Sequence, residues 1–180
     1  NNSFKIGPNE FDSWANILKA VSTSVLWLVK PDKETKDNLL KEAKKRGVNP
    51  ERIIFSDRMG YQEYLEHLQL ADLFLDTFNY NAGATASDSL RVGLPILTKM
   101  GQGYPSRMAA SLLKAIGLDT LITKTQTQYE KMAIELAQNP REIKKVRTLL
   151  ELNKLTSPLF NSSLFILNLE KAYILAYERF

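Results

Sequence analysis

The sequence predicts an α/β domain: a doubly wound, Rossmann-like parallel sheet with helices on both faces. Three observations lead there. Short, continuous apolar runs have the length and character of strands covered on both faces: VLWLVK at 25–30, RIIFS at 52–56, LFL at 73–75, PILT at 95–98 and TLIT at 120–123. Between them lie segments whose apolar residues recur at the 3.6-residue helical period. The connections are a few residues long, and strand–helix alternation with short links favours parallel strands joined by right-handed crossovers.

The elements follow in order. Phe4-Lys5-Ile6 reads as the exit of a strand whose body lies upstream. Asn9 precedes Glu10, Asp12 and the apolar set Phe11, Trp14, Ile17, Leu18 and Val21, an amphipathic helix with acids near its N-terminus. Pro31 ends the strand at 25–30. A second helix at 33–46 stops at Gly47, the strand at 52–56 follows, and YQEYLEHL at 61–68 is a short helix leading into a strand at 73–76. The spacing then predicts a helix over 84–92 closed by Gly93, the strand at 95–98, a helix over 105–116 stopped by Gly117, and an edge strand at 120–123. The remainder is helical, at 125–138, 140–152 and 163–179, with no internal repeat.

Length and composition set the bounds. At 180 residues with 44% hydrophobic content, the chain reads as one domain, 1–180, with one good core. No apolar run approaches a bilayer span, so no membrane partner is expected. There is no cysteine, which excludes disulfides and thiolate metal sites, and the single histidine, His67, cannot build a multi-histidine site; no metal is expected. The first residues, lacking a methionine and a signal peptide, read as a cut inside a longer protein. The net charge of +4 comes mostly from lysines interleaved with acids, as in KETKDNLLKEAKKR at 33–46, a solvated face and not a nucleic-acid track.

The most informative stretch runs from Leu70 to Pro95, a strand, a loop and a helix start. Asn81, Ala82, Gly83 and Ala84 put almost no side-chain bulk between peptide N–H groups and an incoming ligand. The helix beginning there offers unpaired N–H groups and the positive end of its dipole, a natural anion site. Thr85 adds a hydroxyl, and Asp88, one turn deeper, suits a ribose diol, so the set fits a nucleoside diphosphate. A plainer reading stands beside it: Gly83 permits a turn, Thr85 caps the helix, and Asp88 sits well near a helix start. In parallel sheets ligands bind at the carboxyl ends of strands, where Ser56–Tyr64, Asn81–Asp88 and the glycine-rich turn 101–103 all open. Their convergence on one crevice favours the ligand.

Laid end to end, NNSFKI at 1–6, WANILKAVSTSVLWL at 14–28, RIIFS, QLADLFLDT at 69–77, NAGATASD at 81–88, VGLPILT at 92–98, SRMAASLL at 106–113 and SPLFN at 157–161 resemble one family. It is the O-linked N-acetylglucosaminyltransferases, in which tetratricopeptide repeats precede a GT-B glycosyltransferase. The resemblance implies that this piece is the C-terminal, UDP-sugar-binding domain of an inverting, cytoplasmic protein O-glycosyltransferase acting on Ser or Thr hydroxyls. It places Lys5 on the donor diphosphate as the catalytic cation, with Asn2 near the same phosphates, where relatives often have glutamine. Asp88 falls on the acid that binds the ribose, and Ala84-Thr85 on a pair of threonines at the phosphate-binding helix start, of which only Thr85 keeps the hydroxyl. Gly83 stands where animal members have histidine. Tyr64 stands where they carry a histidine against the uracil ring, and Tyr61 replaces a lysine near the ribose. His67 replaces an arginine, and Met59 joins the same UDP-sugar set.

No cofactor or metal is expected beside the donor, and the partners implied are a UDP-sugar and a protein or peptide acceptor held by upstream regions. Two alternatives stay open: an interaction module that kept the fold and lost donor chemistry, and a transferase using another nucleotide sugar.

Overall fold

A computed structural model describes residues 2–179; Asn1, the first residue of the NNSFKI segment, lies outside the described residues. Five strands and eight α-helices follow one another in the expected alternation: α1 (Pro8–Ala20), β1 (Leu26–Val29), α2 (Lys33–Lys45), β2 (Ile53–Ser56), α3 (Tyr61–Gln69), β3 (Phe74–Leu75), α4 (Ala84–Arg91), β4 (Ile96–Lys99), α5 (Met108–Ala115), β5 (Ile122–Thr123), α6 (Gln126–Gln138), α7 (Pro140–Thr156) and α8 (Ser162–Glu178). Gly47 and Gly117 adopt φ of 75° and 72° just beyond α2 and α5, the left-handed conformation that closes a helix and that glycine enters without a Cβ penalty.

All strand pairs are parallel. β1 pairs with β2, Leu26 opposite Ile53 through Val29 opposite Ser56. β4 lies between β3 and β5, with Phe74 opposite Ile96 and Thr98 opposite Ile122. The α/β fold with parallel strands therefore holds, but among the described residues the ladders form two sets, β1-β2 and β3-β4-β5, where one continuous sheet was expected. β3 is the reason: it is two residues long, its hydrogen bonds go to β4, and the chain leaves the sheet at Asp76-Thr77.

Packing restores the continuity that the ladder lacks. Ile96 and Phe74 face a core built with Leu90 of α4, Leu113 of α5 and Leu150 of α7. Their neighbours Leu97 and Leu75 face the opposite core, with Phe11, Trp14 and Leu18 of α1, Leu26 and Leu28 of β1, and Tyr129 of α6. Successive strand residues point to opposite faces, so Phe74-Leu75 and Ile96-Leu97, packed on both sides, are apolar on both. β4 then continues into Thr98, which is buried on the Asp76 carboxylate, and Val29 of β1 and Ile54 of β2 stay exposed, so those two strands lack the cover on both faces that was expected. The second of these cores also carries a hydrogen-bond chain. Trp14 Nε1 donates to the Tyr129 hydroxyl at 3.3 Å, which donates to the Asp76 carbonyl at 3.1 Å, fixing α1 and α6 against the end of β3.

Five local expectations change. Ser3–Lys5 is a 3₁₀ turn and not a strand exit: Lys5 N–H donates to the Asn2 carbonyl and Ile6 N–H to that of Ser3, and no neighbouring strand offers a ladder. α1 starts two residues early, with Pro8 in its first turn and Gly7, not Asn9, at the N-cap; the Glu10 carboxylate reaches back to accept the Gly7 N–H at 3.1 Å. The helix expected over 105–116 begins as a 3₁₀ turn, Tyr104–Arg107, before α5, and TLIT yields only Ile122–Thr123 as strand. α7 runs on to Thr156. α8 has no buried residue and leaves Phe165, Ile166, Tyr173 and Ile174 in the open. No described helix is long and apolar enough to cross a membrane.

Candidate functional site

The site is built on the loop that follows β3, which two buried carboxylates hold. Asp76, with no exposed surface, accepts the Thr77 and Ala82 N–H groups on Oδ1 at 2.9 and 2.8 Å, and the Thr98 hydroxyl on Oδ2 at 2.8 Å. A charge buried this deeply persists only when such donors replace its water. Glu10, equally buried, accepts the Phe78 N–H on Oε1 at 3.0 Å while holding Gly7 with its other oxygen. Inside the loop the Thr77 hydroxyl donates to the Tyr80 carbonyl at 2.6 Å, and the Asn81 amide donates to the Thr77 carbonyl at 2.5 Å. The Asn81 N–H donates to the Pro105 carbonyl at 2.9 Å, which brings the glycine-rich turn at 101–103 against the same loop.

This rigid loop delivers the chain to the start of α4. Gly83 sits at the N-cap and no side chain caps the helix, so the capping role open to Thr85 is not taken up. Ala84 is exposed there, while Ala82 and Ala86 on either side are fully buried. A Cβ at Gly83 would meet only Met108 Cγ, at 3.8 Å, an ordinary contact, so crowding by the protein's own side chains does not demand glycine. Small residues and uncapped N–H groups at a helix start are what an anion needs.

Lys5 comes to this loop from the other end of the chain. Its ammonium donates to the Asn81 carbonyl at 3.1 Å and lies 4.2 Å from the centroid of the Tyr80 ring. Partial burial lowers its pKa from the ordinary lysine value, and the nearby Asp76 carboxylate pulls the other way. Asn2, three residues earlier, is exposed and accepts from Arg58 at 3.4 Å, which ties the N-terminal segment to the turn after β2. Met59 lies half-buried in that turn.

The third wall is α3. The Tyr61 hydroxyl donates to Asp88 Oδ1 at 2.9 Å, and the Tyr61 and Tyr64 rings lie 6.2 Å apart with 35° between their planes. Tyr64 is half-buried, and burial, helped by the Asp88 charge, pushes its phenol up to about 12; a hydrogen bond with Thr85 acts in the opposite sense. His67 is turned away, its ring 5.7 Å from Trp27 and its Nδ1 2.9 Å from the Glu63 carbonyl.

Of the sequence-derived candidates, Lys5 meets Asn81, and Tyr61 and Tyr64 meet Asp88 and Thr85, around one helix start; Asn2 and Met59 belong to neither contact, Asn2 being tied to Arg58 instead. Two of the expected loops meet through Tyr61 and Asp88, and the segment after the glycine-rich turn joins them through Pro105 and Asn81. Asp76, Glu10 and Tyr80 were not singled out from sequence. The signal for Asp76 is an acid placed directly after an apolar strand run, whereas Glu10 reads as an ordinary helix N-terminal acid until its partner 68 residues away is seen.

Comparison with known proteins bears on the family and the fold. The profile described as glycosyl transferase family 41 matches residues 1–169. A probable UDP-N-acetylglucosamine–peptide N-acetylglucosaminyltransferase, SEC, of Arabidopsis thaliana is 34% identical over 174 residues, covering 96% of this chain and 18% of the plant protein. A Caenorhabditis elegans UDP-N-acetylglucosamine–peptide N-acetylglucosaminyltransferase is 33% identical over 161 residues, covering 89% of this chain and 14% of its own length. Among solved structures, a lysine-to-methionine mutant of the Thermobaculum terrenum O-GlcNAc transferase superimposes with a TM-score of 0.89 at 30% identity, over 94% of this chain and 33% of that one. The chain therefore spans under a fifth of these two curated relatives and a third of the solved protein. On sequence profile, relatives and fold together, it belongs to glycosyl transferase family 41.

Proposed function

We propose that residues 1–180 form one domain, the GT-B nucleotide-sugar half of an inverting protein O-glycosyltransferase, and that it binds a UDP-sugar of the N-acetylglucosamine type. The observation that carries this reading is the meeting of the Lys5 ammonium with the Asn81 carbonyl beside an uncapped helix start made of Gly83, Ala84 and Thr85. In it the diphosphate lies against the first N–H groups of α4 with Lys5 beside it. Asp88 takes a ribose hydroxyl on the oxygen that Tyr61 leaves free, and the uracil stacks on Tyr64. Asn2 and Met59 border the same crevice from the N-terminal segment and from the turn after β2.

The reaction in this reading is a direct displacement. A Ser or Thr hydroxyl oxygen of the acceptor forms a bond to the anomeric carbon while the bond to the β-phosphate oxygen breaks, its electron pair leaving with UDP. The hydroxyl proton passes to a base or water outside this domain. Negative charge grows on the departing diphosphate, and a fixed cation with aligned N–H dipoles stabilises it more than the ground state. No metal is required, because Lys5 and the helix start supply the positive field. Peptide acceptor, upstream tetratricopeptide repeats and a cytoplasmic setting belong to the same reading and rest on the family likeness. The isolated chain should bind nucleotide weakly and turn over nothing.

Calorimetric titration of UDP into this chain, in the presence of EDTA and against ADP and GDP, tests the reading. Saturable binding that prefers UDP and survives EDTA is expected. Binding of none of the three would favour the second reading, an interaction module that kept the fold, for which Gly83 and Ala84 speak because they offer phosphate no polar side chain. A preference for another nucleotide would point to a different donor.

A further inference from the structure

The loop that Lys5 reaches grips it on two sides. One is the Asn81 carbonyl, 3.1 Å from the ammonium; the other is the Tyr80 ring, whose centroid is 4.2 Å away. A cation at that distance from an aromatic face is held by the ring's quadrupole. Tyr80 is 54% exposed, too open to be there as core filling, and its hydroxyl makes no hydrogen bond among the described residues. Its backbone is nevertheless fixed. The Tyr80 carbonyl accepts the Thr77 hydroxyl, and Asn81 beside it is buried and bonded to the Thr77 and Pro105 carbonyls. A rigid backbone thus presents an aromatic face whose evident partner is the lysine.

We infer that Tyr80 is a positioning residue for Lys5: its ring and the Asn81 carbonyl hold the ammonium beside the loop entering α4 before any nucleotide arrives. The inference rests on the donor-site reading of Lys5. A lysine stem has four rotatable bonds and loses substantial entropy when its charge is pinned by a ligand. A charge already held in place loses less, so the gain appears as affinity and as transition-state stabilisation. A phosphate can take over the hydrogen bond now made to the Asn81 carbonyl, while the ring goes on limiting where the stem can point.

The test is a mutant cycle with a spectroscopic arm. UDP is titrated into the wild-type chain, Tyr80→Phe, Tyr80→Leu, Lys5→Ala and the Tyr80→Leu/Lys5→Ala double variant, with thermal melts as fold controls. Tyr80→Phe keeps the ring and should bind like wild type, and Tyr80→Leu should bind roughly three- to fivefold more weakly. The double variant should be no weaker than Lys5→Ala alone, because the ring acts through the lysine. Wild-type affinity in Tyr80→Leu, or a further loss when it is added to Lys5→Ala, overturns the inference; the latter would mean that the ring touches the nucleotide itself. The NMR arm needs no ligand: ring current should displace the Lys5 ε-methylene protons upfield in wild type and Tyr80→Phe and release them in Tyr80→Leu. If the wild-type chain binds no UDP, the donor-site reading fails, and these resonances alone decide whether Tyr80 holds Lys5. Ordinary lysine shifts in wild type would sink it.

Discussion

The Tyr61 hydroxyl donates to Asp88 Oδ1 at 2.9 Å, joining the first turn of α3 to the second turn of α4 across 27 residues of chain. The carboxylate is thereby oriented, with Oδ1 engaged; in the proposed reading Oδ2 takes the ribose hydroxyl. The bond also holds the Tyr61 phenol above its ordinary pKa, so the phenol stays protonated and the link persists across neutral pH. Asp88→Asn keeps the shape but removes the charge-assisted acceptor, which forms bonds about twice as strong as neutral ones. UDP affinity should fall by roughly tenfold or more, ~1.4 kcal/mol. Titration of 2′-deoxy-UDP is the control: equal discrimination by wild type and variant would remove the ribose from Asp88.

Lys5→Ala in the full-length enzyme should lose nearly all transfer and little stability. The side chain is partly exposed, and among the described residues it makes one hydrogen bond and one ring contact, with the Asp76 charge nearby. Steady-state turnover and a thermal melt are the measurements. Retention of more than about a tenth of wild-type turnover, a barrier change of only ~1.4 kcal/mol, would falsify the assigned role.

Ala84→Val separates the phosphate cradle from a mere turn. Ala84 is exposed at the first position of α4, so the protein itself has room for a branched side chain. Loss of helix propensity should amount to a few tenths of a kcal/mol, about half at most. A diphosphate lying against the same N–H groups would meet the new methyls, and UDP binding should be lost while the melt is preserved. Unchanged affinity would mean that no phosphate sits there.

Alkaline pH should loosen the fold through Tyr64. Its phenol is pushed up to about 12 in the folded chain, mainly by burial, against an ordinary value near 10. A group whose folded pKa is raised contributes stability that is complete below its unfolded pKa and lost as pH rises through the folded one. The loss should therefore run between about pH 10 and 12. The buried Tyr129 shifts in the same direction, so the informative comparison is wild type against Tyr64→Phe, whose melting temperature should fall less steeply over that window.

Asp76→Ala should be the most damaging single change at the site. It strips the buried Ala82 N–H and Thr98 hydroxyl of their acceptor and frees the loop that carries Asn81. A loss of about 3 kcal/mol or more is expected in urea unfolding. A loss below about 1 kcal/mol would show that the loop holds its shape without the carboxylate.

What the sequence by itself determined is whatever depends on near neighbours. The helical period of residues 33–46, the stop at Gly117, the apolar runs that open β1 and β4 and the small residues at the start of α4 are local properties, set by side-chain periodicity and backbone sterics. The loop reading itself reached Asp88, and the family likeness extended it to Lys5 and Tyr64. Only the tertiary structure decided the rest. Among the described residues Ser3–Lys5 forms a 3₁₀ turn with no strand beside it, and the ladder breaks at β3, whose hydrogen bonds go to β4 before the chain leaves the sheet. Glu10 becomes a buried acceptor for Phe78, Asp76 the anchor of the loop, and Tyr80 the surface beneath Lys5, across separations of 68, 6 to 22, and 75 residues. A buried charge can take the donors it needs from anywhere in the chain, and the choice among them is made by packing.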